Sequence, residues 1–321
     1  MSVFLEWHHM TGPAIDALDR ATTIVYVSSS PLEVHGPHLP TITDICEAEG
    51  IVERTAALLK EKHPELTFVR LPPIYVAGDV LPHVGSLNFR GSTITAVFED
   101  LGRTLCTQGF TNIWVGGFHG GPRHFTPLEV ACARTNRRYG AKMISMFSLL
   151  MTWLTGGGVE LSEVFAEVQG IEPEDLRGDS HGGAIETSLM LHLLGEHVDP
   201  VFAELPQRTV SLWTQEKGLP DPDFGSRRPS LRELMASFRT KLKYYEEVSW
   251  SGQPALASAR LGEQFIDVLA RHCAEALSEV WSGHRTVEEC HAPTWKVRWL
   301  FTWRWLSWLF ERSADYRNRV W

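Results

Sequence analysis

The run Thr22 to Ser29, Thr-Thr-Ile-Val-Tyr-Val-Ser-Ser, is β-branched and almost continuously apolar, the pattern of a strand buried on both faces. It ends against a stretch that can continue neither as strand nor as helix. Pro37 and Pro40 block a helix across Pro31 to Asp44, whereas Thr43 to Lys62 carries Ile45, Ala48, Ile51, Val52, Thr55, Leu58 and Leu59 at helical spacing and stops before His63-Pro64. The succession of strand, polar link and helix then recurs. Leu66 to Val76 reads as a strand interrupted by Pro72-Pro73, Gly78 to Gly91 as a loop, and Ser92 to Gln108 as a helix. Thr111 to Val115 is a third strand, Pro122 opens a helix to Arg138, and Ala141 to Phe147 is a fourth strand. Such alternation predicts an α/β fold with a mostly parallel sheet and helices on both faces. Ligands then gather outside the carboxyl ends of the strands.

Two of those strand ends carry the residues a metal ion needs. Between Pro31 and Asp44 the chain reads Pro-Leu-Glu-Val-His-Gly-Pro-His-Leu-Pro-Thr-Ile-Thr-Asp. Glu33 and His35 are two apart, so in extended chain they leave from the same side, and the helix start brings Asp44 back towards them. Each has an ordinary explanation alone: Asp44 as a helix cap, Glu33 as a solvated loop residue. Together, oxygen and imidazole donors at this spacing favour a metal site. The third strand runs into Gly116-Gly-Phe-His-Gly-Gly-Pro122, which places His119 close to Glu33 and His35. Further on, Asp179-Ser-His-Gly-Gly-Ala-Ile-Glu-Thr-Ser188 opens a helix through Leu194. Glu186 shares the helical face of Leu189, Met190, Leu193 and Leu194, so its carboxylate needs a partner, a metal or the dipole of the helix start.

Five such groups suffice for a hydrolytic centre of two divalent ions about 3.5–4 Å apart with a hydroxide between them. Glu33, His35, Asp44, His119 and Glu186 are the candidate ligands, with Asp44 the natural bridge. His181, five residues before Glu186, is the candidate general acid for a leaving amide nitrogen, or else a group that stabilises its helix. His38, His83 and His124 read as structural. No G-x-S-x-G elbow, phosphate-binding G-x-x-x-x-G-K-[ST] loop or H-E-x-x-H helix competes, and the glycines around His119 lack the dinucleotide register.

Composition narrows the partners. A formal charge of −9 over 321 residues argues against nucleic acid, and the length allows one large α/β domain or two smaller ones, with a 43% apolar content enough for a substantial core. Five scattered cysteines without C-x-x-C spacing suggest a reducing compartment, and the first residues lack a basic, then apolar, leader, so a cytoplasmic location is expected. Thr155 to Asp179 reads as an insertion that covers the site, Thr209 to Trp213 as one more strand, Asp221 to Pro229 as a polar loop, and Leu231 to Tyr245 and Pro254 to Trp281 as helices. Trp213, Tyr244, Tyr245 and Trp250 receive no role. The tail from Trp295 to Phe310 has five tryptophans among Lys296, Arg298 and Arg304 and falls short of the ~20 residues that span a bilayer. It reads as a helix packed between subunits or, second, as a membrane contact over 295–310.

The motifs Glu33-Val-His-Gly-Pro-His-Leu-Pro with Asp44, Phe118-His-Gly-Gly121 and His181-Gly-Gly-Ala-Ile-Glu-Thr-Ser188, with weaker echoes at Leu87 to Thr93 and Gly252 to Gly262, resemble the creatininase (creatinine amidohydrolase) family. The resemblance spans roughly residues 20 to 270. It implies a three-layer α/β/α fold, two divalent ions per chain of Zn, Mn or Fe type, hydrolysis of the C–N bond of a small cyclic amide through a hydroxide shared by the ions, and homo-oligomers, often hexamers. Glu33, His35, Asp44 and His119 match metal ligands and His181 the proton-transfer histidine. Creatinine-hydrolysing members carry a glutamate two residues after the strand-end histidine, where this chain has Gly121, and Glu186 is the candidate to complete the site. Many relatives read Asn-Gly-His-Gly-Gly-Asn where Gly117, Phe118 and Pro122 stand here, so the substrate is left open. Peptide, formamide or lactone hydrolysis at the same site is the alternative, as is a non-catalytic, metal-stabilised, membrane-associated protein. One domain over 1–290 and a tryptophan-rich extension over 291–321 complete the expectation.

Overall fold

The computed structural model describes residues 2–156, 164–223, 230–303 and 305–306. Five strands, β1 (Phe4–Glu6), β2 (Thr23–Ser28), β3 (Thr67–Arg70), β4 (Asn112–Gly116) and β5 (Lys142–Ser145), form one sheet in the order β1-β3-β2-β4-β5. Every neighbouring pair is parallel. Parallel strands need crossovers, and from β2 to β5 these are the helices α1 (Thr43–Lys62), α2 (Gly91–Thr107) and α3 (Pro122–Tyr139); α4 (Met146–Gly156), α5 (Ala184–Leu194), α6 (Val210–Lys217), α7 (Leu231–Glu247) and α8 (Ala259–Trp281) follow the last strand.

The period of two along β2 divides the core. Ile24 and Tyr26 face one layer with Phe68, Trp114 and Ile144, against Ile51, Val52 and Leu59 of α1, Leu189 of α5 and Phe265 and Leu269 of α8. Val25 and Val27 face the other with Ile113, Val115 and Met143, against Ile94, Phe98 and Leu105 of α2 and Leu128 and Ala131 of α3. The result is the expected three-layer α/β/α architecture. Its central strands β2 and β4 both point their carboxyl ends at the same place.

Several expectations are corrected. Ala141 to Phe147 is strand only to Ser145, and Met146 starts α4. The apolar run continues across that boundary without a breaker, so composition does not mark the change. Thr209 to Trp213 is not a strand: the Thr209 side chain accepts from Leu212 N at 3.1 Å and caps α6. Leu66 to Val76 is strand only over β3, because Pro72-Pro73 ends the pairing apart from one bridge of Ile74 to Ser29. Phe4–Glu6 had no strand signal and pairs at the sheet edge.

Of Thr155 to Asp179, residues 157–163 lie outside the described residues, and the rest is seen packing on α8 before it reaches Asp179 beside the start of α5. Phe165 packs edge-on against Phe265 at 4.8 Å, and Gln264 holds the backbone of Gln169, so the segment lies on α8. Of Asp221 to Pro229, residues 224–229 lie outside the described residues. The tryptophan-rich tail is not one helix: a 3-10 turn over Pro293–Val297 is followed by a four-residue helix, Trp299–Thr302. Trp295 stacks on His291 (3.9 Å) and carries the Arg298 guanidinium over its ring (4.3 Å). Buried Glu129 of α3 accepts from Ala292 N (2.7 Å) and His291 Nδ1 (3.1 Å), which ties the start of the tail to the core. Among the described residues no helix is long and apolar enough to cross a membrane.

Candidate metal centre

The link after β2 is closed by a hydrogen bond from Glu33 N to Thr41 O (3.0 Å), which turns the chain into α1. Asp44 is not the cap of that helix. It lies inside the first turn, 1% exposed, with Oδ1 3.5 Å from His35 Nε2 and Oδ2 3.8 Å from His119 Nδ1. Glu33 Oε2 lies 3.0 Å from His119 Nδ1, while its other oxygen accepts from Leu81 N. Glu186, in the first turn of α5, places Oε2 3.6 Å from His35 Nε2 and also accepts from Gly182 N. His181 stacks on His35 with ring centroids 4.0 Å apart. All six residues predicted from the sequence therefore meet at the ends of β2 and β4. Their ligand atoms form three groups able to hold an ion, Glu33–Asp44–His119, His35–Asp44–Glu186 and Glu33–His35–His181, of which the first two share Asp44.

Backbone carbonyls decide which face each imidazole presents. His35 Nδ1–H donates to Glu33 O (3.1 Å) and His119 Nε2–H donates to Gly78 O (3.1 Å), since a carbonyl can only accept. Each ring is left with one bare nitrogen directed at carboxylate oxygens. Outer bonds of this kind are what orient histidines on metals. At the centre, His35 Nε2 and Asp44 Oδ2 are buried without hydrogen-bond partners, and Glu33 Oε2 meets only the ring of His119. Such orphans in one place are costly unless a cation or protons stand among them.

Electrostatics tell the same story. Burial raises carboxyl pKa values, yet His119, His181 and His35 outweigh it and hold Glu33 at about 2. Burial would lower the imidazoles, but Asp44, Glu186 and Glu33 lift His35 to about 10, and Glu33 and Asp44 lift His119 to about 9. Burial prevails at Asp44, which is raised against the pull of His35 and His119, and at Glu186, raised to about 7. Without a cation, in other words, this centre holds protons where ions would sit. His181 is the exception: burial and the charge of His35 hold it down at about 3, so it is neutral.

The shell around the centre fixes it further. Gly182 has φ of 57°, and a Cβ there would stand 3.3 Å from the backbone of His35 and from Trp250, so the stack of His181 on His35 requires glycine. Asp179, raised to about 8 by burial, accepts from Ala184 N at the start of α5. At Gly121 a Cβ would meet Asp79 Cβ at 2.7 Å and His119 Nε2 at 2.6 Å, so no glutamate fits here as the chain stands. Asp79 (φ 66°) fills that space and accepts from Arg123 N at 3.0 Å. His38 bonds Thr187 Oγ1, His83 the carbonyl of Tyr245, and His124 the carbonyl of Ser29, each a structural contact. Sequence reasoning missed Gly78-Asp79 and the α7 end with Tyr245 and Trp250. The two aromatics were the only signal, and periodicity could not place them.

The family model described as creatininase, creatinine amidohydrolase, matches residues 8–277. Among solved structures, the chain is similar to a creatinine amidohydrolase (creatininase), at 18% identity and a TM-score of 0.60 over 87% of this chain and 98% of that one. It is similar to a structure described as creatininase Mn, at 18% identity and a TM-score of 0.57 over 87% and 99%. A third is a protein from Bacteroides fragilis described as a creatinine amidohydrolase by assignment, at 20% identity and a TM-score of 0.58 over 89% and 99%. No curated protein matches the chain.

Proposed function

This chain belongs to the creatininase family, a family of amidohydrolases, and from that premise we propose that it hydrolyses the C–N bond of a small amide with two divalent ions per chain. The observation that carries the reading is the meeting of buried ligand atoms at one point, Glu33 Oε2 against His119 Nδ1 and, without hydrogen-bond partners, His35 Nε2 and Asp44 Oδ2, around imidazoles whose outer nitrogens are already committed to carbonyls. Glu33, Asp44 and His119 would hold one ion; His35, Asp44 and Glu186 would hold the other. Ions of Zn, Mn or Fe type supply, when bound there, an acidified shared water and a Lewis acid for the amide carbonyl.

The chain's own residues do the rest. Asp44 directs one oxygen to each triad, so it sets their separation. His181 donates Nε2–H to Val34 O at 2.9 Å, which leaves Nδ1 as the atom that takes up a proton and returns it to the leaving nitrogen. Burial supports a small substrate over a peptide, since the most open of the proposed ligand side chains, Glu186, is only 12% exposed. A cyclic amide is the first class to assay, with formamides and lactones beside it. Homo-oligomeric assembly, a cytoplasmic location and the division at residue 290 belong to the same reading.

Elemental analysis of Asp44→Ala beside the wild type tests the centre. The wild type is expected to hold two ions per chain and the variant none, with loss of amide turnover. A variant that keeps both ions and full turnover overturns the assignment.

A further inference from the structure

At the rim of the centre stands a hydroxyl that the reaction above does not use. Tyr245 lies in the last turn of α7, its ring edge-on to His181 with centroids 6.0 Å apart and planes at 77°. Its hydroxyl is 3.2 Å from Ser180 Oγ, next in sequence to His181 and open to solvent. The turn that carries it is fixed from several sides. His83 Nε2–H donates to Tyr245 O (2.6 Å), the fully buried Tyr244 donates its hydroxyl to Trp250 O (2.6 Å), and Ser249 O accepts from Gly36 N (2.7 Å) beside His35. The ring is therefore placed by the same backbone that seats His35 and His181. It does not sit there as surface packing.

We propose that the Tyr245 hydroxyl, with Ser180 beside it, positions the substrate by hydrogen-bonding a polar group beyond the scissile amide. The geometry assigns the direction. If the ions take the carbonyl and His181 serves the nitrogen, the next part of the ligand outward from His181 meets Tyr245. Both rim partners are neutral hydroxyls, which suit a carbonyl or amide on an uncharged ligand better than a carboxylate or phosphate, whose usual partners are Arg, Lys or an array of backbone N–H groups. Burial and the nearby carboxylates of Glu186 and Glu33 keep the phenol protonated, up to about 12, so it stays a donor throughout the neutral range. The inference also supplies a polar contact in a chain whose Gly117 and Pro122 stand where the family motif has amide side chains.

This inference rests on the metal reading, and the test separates the two. Ion-loaded wild type and Tyr245→Phe are compared with two cyclic amides as probes, 2-pyrrolidinone, which carries one carbonyl, and hydantoin, which carries a second carbonyl and N–H. Dissociation constants come from calorimetry, or KM and kcat where a probe is turned over, and ions per chain are measured on the same samples. The wild type is expected to prefer hydantoin about tenfold, the usual worth of one such bond in a shielded site, and Tyr245→Phe to abolish that preference while binding of 2-pyrrolidinone and the ion count stay the same. A merely structural tyrosine would affect both probes alike. Wild-type protein without ions removes the metal reading and this inference with it. Two ions in both proteins with no wild-type preference, or with the preference intact in Tyr245→Phe, overturn this inference alone.

Discussion

Replacing Glu186 by Gln separates the two ion positions. The substitution removes one charged ligand from the His35–Asp44–Glu186 triad and leaves Glu33–Asp44–His119 whole. Glutamine keeps an oxygen to accept from Gly182 N, so the start of α5 retains its contact. An ion supplied at a hundred times its dissociation constant stabilises the native state by about 2.7 kcal/mol. Two ions then give about 5 kcal/mol. For a chain of this size that is a rise in Tm of about 10 °C on loading, at the lower end of the degrees gained per kcal/mol. Glu186→Gln is expected to bind one ion and to show a rise of about 5 °C. Calorimetric scans of stripped and loaded protein, with elemental analysis after desalting, measure both quantities. Two tightly held ions and an undiminished rise in the variant would refute the role given to Glu186.

His181→Ala is expected to lower kcat by about 10²–10⁴, the usual share of a proton-transfer group, with ions per chain unchanged. Ion binding displaces the protons held on His35 (about 10), on His119 (about 9) and in part on Glu186 (about 7), so loading at pH 7 should release between two and three protons and apparent affinity should rise with pH up to about 10; calorimetry in buffers of different ionisation enthalpy reads the count. The same raised values stabilise the ion-free chain fully below the ordinary histidine pKa of about 6.5, and that stability should fade as pH climbs through 9 to 10, which a Tm series on stripped protein will follow. Glu47 is fully buried with neither oxygen bonded, and burial with the charges of Glu186 and Asp44 pushes it well above the carboxylate range. Its carboxyl is neutral in the fold but ionised once unfolded, so it costs stability as pH rises above about 4.5, and Glu47→Gln should raise Tm at pH 7.

The parts of the molecule that sequence made legible are those where local pattern and tertiary role coincide. Thr43 to Lys62 is helix over those residues because its apolar spacing is also the face buried under the sheet. Glu33, His35, Asp44 and His119 were legible because β2 and β4 are adjacent and parallel, so two strand ends far apart in sequence had to share one edge. Glu186 was legible through its conflict with an apolar face. What failed was decided by contacts invisible along the chain. Met146 and Phe147 look like strand residues until the packing of Phe147 against Phe125 and Phe118 is seen. Thr209 carries the β-branched signature of a strand and spends its hydroxyl on a cap. Tyr245 owes its place to bonds from His83 and to the fold-back through Trp250, neither of which leaves a period in the sequence.

The contact of Gly121 with Asp79 also bears on descent. A side chain at 121 and the present Asp79 compete for one volume, so no single substitution at 121 can introduce a glutamate there. A lineage that gains a glutamate at 121 must first vacate the loop at 79. Each arrangement is thereby held in place by its neighbour, and Gly121 and Asp79 should change together or not at all.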